Sequence, residues 1–123
     1  MRTVARGFYA AFGTLALALG VLVLFRPELA LPSDGVSSLT AHLIREQGAE
    51  GVFIGLMSWW CFFHFEARRP VHLALLLFTA LFAGIHWAEY LKDRRHLTSP
   101  LVNSAPFVVL AATAGGKEVN PGT

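Results

Sequence analysis

Residues 8–25, FYAAFGTLALALGVLVLF, run for 18 positions without a charged side chain. As a helix this stretch is roughly 27 Å long, close to the ~30 Å hydrocarbon thickness of a bilayer. A chain with such a run must enclose it in a large core or give it lipid. The 123 residues suffice for a single domain. Of these, 54% are hydrophobic and 15% charged, where a soluble domain usually carries about 25% charged residues. The deficit leaves too little polar surface to coat a globule and points to lipid as the solvent. Three further apolar stretches follow at 51–63, 71–91 and 100–114. The last is short for a span and needs support from its neighbours.

The basic start and apolar run of the N-terminus also fit a secretory signal. The run is long for a signal core, however, and RPELALPSDG offers no convincing small-x-small cleavage site. A retained helix is therefore expected. Pro27, Pro32 and Gly35 break it. Ser37 or Ser38 is placed to cap a second helix that opens with the polar LTAHLIREQGAE and continues as GVFIGLMSWWCFFHF. EARRP turns tightly into the third helix, and KDRRHLTSP leads to the fourth, with Thr98 or Ser99 as cap and Pro100 in its first turn.

These signals predict an all-α fold: an integral membrane antiparallel four-helix bundle within residues 1–114. The helices are expected at about 7–26, 38–67, 70–92 and 99–114, with a flexible tail over 115–123. The chain is expected to be multi-pass in the cell membrane. Five basic residues fall at each end, so the positive-inside rule does not orient it. Small residues let helices approach closely in lipid. The stripe Ala80, Gly84, Ala88 is expected to be a packing face. Gly13 with Gly20, and Gly51 with Gly55, fit packing and ordinary composition equally.

Chemistry is sparse. Cys61 is the single cysteine, so no intrachain disulfide forms. There is no CxxC, phosphate loop or nucleophile elbow, and a net charge of +2 without a dense basic cluster argues against nucleic acid. His64, His72 and Glu66 fall short of a metal ligand set and read as solvated loop residues; His64 and His86 lie too far apart in depth to bridge a haem. Neither metal nor cofactor is expected.

The stretch GIHWAEY, residues 84–90, is the exception. It puts His86 and Glu89 on one helical face, where i and i+3 are neighbours. Equal-depth arithmetic on the hairpins brings Glu50 and Asn103 to the same layer, with Arg45 a turn outward. Pro106 removes the donor that Val102 would otherwise have, beside Asn103. Ionisable groups in lipid are costly and face the bundle interior or water. His86, Glu89, Glu50, Asn103 and Arg45 are therefore the candidate ligand-binding residues, with Phe78 and Phe82 as an apolar floor. His86, Glu89 and Glu50 are the candidates for catalysis.

The layout resembles the DoxX-like superfamily of small four-helix membrane proteins, especially its domain families of unknown function. The matching features are an apolar first helix ending at Pro27, then REQGAEGVFIGL with Arg45, Gly48, Gly51 and Gly55. The basic turn EARRP and a third helix rich in Leu, Phe and Ala complete them. The match extends over roughly residues 6–114, and GIHWAEY departs from its pattern. Members of the superfamily look like subunits of quinone-linked oxidoreductases or assembly helpers.

Two functions follow as expectations. One is a non-enzymatic membrane protein that binds a partner subunit, a second copy or a small lipophilic molecule such as a quinone in a polar pocket at one rim. The other is a membrane enzyme doing acid–base chemistry, either isomerisation or quinone-linked proton transfer, with His86 and nearby carboxylates.

Overall fold

The computed structural model describes residues 2–30, 37–94 and 97–114. Among these the chain is all-α, with four helices: α1 Arg2–Phe25, α2 Ser38–Phe63, α3 Arg69–Asp93 and α4 Thr98–Ala114. Single 3-10 turns at Pro27–Ala30 and Phe65–Ala67 follow α1 and α2. The expected tail over 115–123 lies outside the described residues.

Local chemistry accounts for the helix ends. Ser37 caps α2 by accepting a hydrogen bond from the Thr40 amide at 3.1 Å. The second helix stops earlier than expected: at His64 the backbone leaves α geometry, and a 3-10 turn covers Phe65–Ala67. The Arg68 guanidinium donates to the Phe65 carbonyl at 2.8 Å, closing this turn. Pro70 stands in the first turn of α3, where its missing N–H costs nothing. Arg94 ends α3 in the left-handed region, at φ 48°.

The helices form two antiparallel pairs, α1 with α2 and α3 with α4, and the pairs meet each other more sparsely. Glycine explains the tight first pair. A Cβ built on Gly20 would lie 2.5 Å from the Val52 nitrogen and 2.8 Å from the Gly48 carbonyl oxygen. One built on Gly55 would lie 2.7 Å from the Leu17 nitrogen, and one on Gly48 would lie 2.7 Å from the Leu24 nitrogen. Backbone rests on backbone, so any side chain there forces the helices apart. Gly48, Gly51, Gly55 and Ser58 repeat at steps of three, four and three along α2 and so make one stripe. The stripe favoured from sequence behaves differently: a Cβ on Gly84 meets nothing within 4 Å, and Ala88 is exposed. Ala80, Gly84 and Ala88 are therefore not a packing face among the described residues.

The pairs join at the end that holds the N-termini of α1 and α3. Ala5, Tyr9, Cys61, Phe65, Leu75 and Leu110 are buried together there, with Ile54 further along α2. Elsewhere apolar side chains point outward, including Leu15, Leu19, Leu73, Leu77, Leu81 and Ile85. Helices α1 and α3 are long and apolar enough to cross a membrane.

The glycine contacts predict opposite outcomes for one substitution. Gly55→Ala or Gly20→Ala should destabilise the detergent-solubilised protein by about 1–3 kcal/mol, the usual penalty of overpacking. Gly84→Ala should be neutral or stabilise by about 0.5–1 kcal/mol, through helix propensity alone. Thermal unfolding of the three variants, followed by circular dichroism, checks the contrast.

Candidate functional site

The residues that sequence arithmetic gathers into one layer are distributed over three places. His86 is half-buried and turns towards α4, where its Nδ1 shares a hydrogen bond of 3.2 Å with the Ser99 hydroxyl. Asn103 reaches the same residue from within its own helix: its amide donates to the Ser99 carbonyl at 2.8 Å. That bond turns Asn103 back by one turn, not towards the Val102 carbonyl next to it. Glu89 is exposed and has no hydrogen-bond or ion-pair partner among the described residues. Glu50 is exposed on the flank of α2, away from His86. Arg45 is exposed near the Arg26–Glu28 ion pair and adds to the field that, with the Arg26 hydrogen bond as the larger cause, holds the Glu28 carboxyl below its usual range. The expected convergence of His86, Glu89, Glu50, Asn103 and Arg45 thus reduces to His86 and Asn103, linked through Ser99.

The reason is rotational. Depth arithmetic locates a residue along the bundle axis and leaves its angle about the helix open. The two serines of α4 decide that angle for GIHWAEY. Trp87 donates from its indole nitrogen to the Ser104 hydroxyl at 2.9 Å, and Ser104 in turn donates to the Pro100 carbonyl at 2.7 Å. His86 and Trp87 therefore fasten α3 to α4. Ser99, anticipated as a cap, is instead a side-chain partner within the first turn of α4. The apolar floor below His86 is present: its ring meets Phe82 edge-on at 4.8 Å, and Phe82 stacks on Phe78 at 5.9 Å.

Phe78 leads into a cleft between α2 and α3 of about 510 Å³. Phe53, Ile54 and Met57 of α2 form one wall, and Pro70, Val71, Ala74, Leu75 and Phe78 of α3 form the other. Ala49 and Glu50 stand at one end. Ligand sites have this character: a volume of roughly 300–1,000 Å³, mostly apolar walls and few polar groups. The cleft follows from the pairing of the helices. Helix α2 is drawn onto α1 by its glycines and α3 is tied to α4 by its hydrogen bonds, so the space between α2 and α3 is left open over residues 49–57 and 70–78.

Sequence reasoning missed a buried polar pair. His72, read as a solvated loop residue, is 4% exposed in the first turns of α3. Its Nδ1 is hydrogen-bonded to the hydroxyl of Tyr9, which is fully buried in α1. The rings meet edge-on at 6.1 Å, and Tyr9 meets Phe65 in the same way at 6.3 Å. The Nε2 of His72 is buried without a hydrogen-bond partner among the described residues. His64, across the turn, is exposed and donates to its own helix, to the Trp60 carbonyl at 3.2 Å. The two histidines do not converge, and no group of three or more potential metal ligands occurs among the described residues. Only the i, i+3 spacing of Tyr9 to the Ala5–Tyr9–Phe12 face could have flagged the pair, and it names no partner.

Tyr9→Phe would strip the imidazole of its hydrogen bond to α1, at a cost of about 1–3 kcal/mol. Combining it with His72→Leu should cost less than the sum of the single changes, because no orphaned polar group remains. Unfolding midpoints of the two single variants and the double variant measure this coupling.

Comparison with known proteins finds no matching family model, no matching curated protein and no matching solved structure.

Proposed function

We propose that this chain is a small multi-pass membrane protein that binds a lipophilic molecule in the cleft between α2 and α3, without catalysing its conversion. The membrane part of this reading is supported by where the apolar surface lies. A core helix of a soluble protein hides most of its apolar residues. Here the most apolar windows of α1 and α3 are only 17% and 22% buried. The remaining apolar area faces outward over several helices, beyond the few hundred Å² that soluble monomers tolerate in one patch. Helix α1 also contributes Gly13, Gly20 and Tyr9 to the core, which favours a retained helix over a removable leader.

The observation that carries the binding role is the 510 Å³ cleft with Glu50 at one end. Glu50 has no hydrogen-bond or ion-pair partner among the described residues. An apolar body of modest size with one hydrogen-bond donor at its head, such as a quinol, an alcohol or an amine, matches this arrangement. Acid–base catalysis would need His86 to share a proton with a carboxylate. Its hydrogen-bond partner is the Ser99 hydroxyl, so binding is the better-supported role. The resemblance to the DoxX-like superfamily agrees with this reading, since its members look like subunits and helpers around lipophilic redox chemistry.

Mass spectrometry of small molecules that co-purify with the chain tests the proposal. Ala74→Trp, which fills the cleft, should abolish retention of the lipophile. Glu50→Gln should weaken it about tenfold, the loss of a charge-assisted hydrogen bond worth about 1.5 kcal/mol. His86→Ala should leave retention unchanged. Equal retention by Ala74→Trp and the wild-type chain would remove the cleft as the binding site.

A further inference from the structure

We infer that the end of the molecule holding the N-termini of α1 and α3 is a binding surface for the phosphate of an anionic lipid headgroup. The inference rests on the membrane reading above and is independent of the cleft. Three guanidinium groups converge on one buried ring: the central carbons of Arg68, Arg6 and Arg2 lie 3.8, 5.4 and 5.7 Å from the centre of Phe65. Arg6 also lies 5.7 Å from the ring centre of Phe62. A guanidinium resting on an aromatic face keeps its N–H edge free, and that edge matches two phosphate oxygens.

The charge at this end is not balanced from within. Arg2, Arg6, Arg68 and Arg69 are four cations, and Glu66, paired with Arg2, is the sole carboxylate among the described residues there. Among the described residues at the opposite end, four cations, Arg26, Arg45, Lys92 and Arg94, stand among five carboxylates, Glu28, Glu46, Glu50, Glu89 and Asp93. The even division of basic residues hides this asymmetry. Helix dipoles do not change it: α1 and α3 begin at this end and α2 and α4 finish there, so their partial charges offset one another. Arg68 spends one N–H on the Phe65 carbonyl, while Arg6 and Arg69 are exposed and have no carboxylate partner among the described residues. Crowded guanidinium groups with one carboxylate among the described residues are stabilised by an anion from outside. At the rim of a bundle surrounded by lipid, the anion present at high local concentration is the headgroup phosphate. This end would then face the leaflet richer in anionic lipid.

The test is a lipid titration of the detergent-purified full chain, read by native mass spectrometry with phosphatidylglycerol and phosphatidylcholine as probes. The wild-type chain should retain phosphatidylglycerol in preference to phosphatidylcholine. Arg69→Gln should weaken that retention on the order of fivefold, and Arg6→Gln with Arg69→Gln on the order of 25-fold, from about 1 kcal/mol per basic residue. Arg45→Gln with Lys92→Gln, at the opposite end, should leave it unchanged. Equal loss from the two double variants, or none from either, would overturn the site. Displacement of phosphatidylglycerol by inorganic phosphate, at an ionic strength where chloride fails, would overturn the lipid and leave a free-phosphate site. Release of the chain from membranes by alkali would remove the membrane reading itself and the lipid site with it.

Discussion

The arrangement of this molecule depends on the backbone contact between α1 and α2. On the membrane reading proposed above, helices gain nothing from hiding apolar side chains, so association rests on close packing and on hydrogen bonds. Gly20 against Gly48 and Val52, and Gly55 against Leu17, supply the closest packing available to two helices. Among the described residues, no glycine makes such a contact between any other pair of helices. Helices α3 and α4 use the second device: His86 with Ser99 and Trp87 with Ser104. The chain therefore builds two hairpins by two different mechanisms and joins them at one end. A single mechanism applied evenly would have closed the ring of four helices and left no cleft.

The joint between the hairpins carries the polar groups that most constrain the core. Tyr9 from the first pair meets His72 from the second, so the hydrogen bond between them is a contact across the joint. In a dry interior such a bond is expensive to lose and specific in geometry. Phe65 lies against Tyr9 on the inner side and beneath the arginines on the outer side. One aromatic ring thereby couples the buried pair to the charged rim. Arg68 adds a further tie, since its hydrogen bond to the Phe65 carbonyl holds the turn that presents the ring.

Much of the fold was legible in the sequence, because the signals involved are one-dimensional. Apolar runs, Pro27, Pro70, Pro100 and the Ser37 cap mark where helices begin and end, and the four helices follow from them. What the sequence obscured is azimuth. The stripe at Ala80, Gly84 and Ala88 and the glycines of α1 and α2 each fall on one helical face, yet a Cβ on Gly84 meets nothing while those on Gly13, Gly20, Gly48, Gly51 and Gly55 meet the neighbouring helix. Likewise hairpin arithmetic sets Glu50 level with His86, yet Glu50 borders the cleft between α2 and α3 while His86 turns to Ser99 of α4. His72 was misjudged for a related reason. Its neighbours Arg68 and Arg69 suggest a wet turn, but the first turn of α3 already points its inner face at Tyr9. Each failure lies in choosing which side of a helix looks inward, a choice that tertiary contacts make.

GIHWAEY raises the question of why a greasy helix should carry polar groups near its end, and the structure gives each one a separate reason. His86 and Trp87 are spent on α4, so they are structural donors and acceptors. Glu89 stands outward within the same turn, at the end where carboxylates outnumber cations. Polar residues close in sequence therefore need not share a site, because a helix sends neighbours to different surroundings. The reverse holds at the opposite end. Arg2 and Arg6 lie more than 60 residues from Arg68 in the chain, yet all three converge on one ring. Their common address comes from the antiparallel packing of α1 on α2, which lays the start of one helix against the end of the other. The same glycines that bring the backbones together thus also assemble the cationic rim.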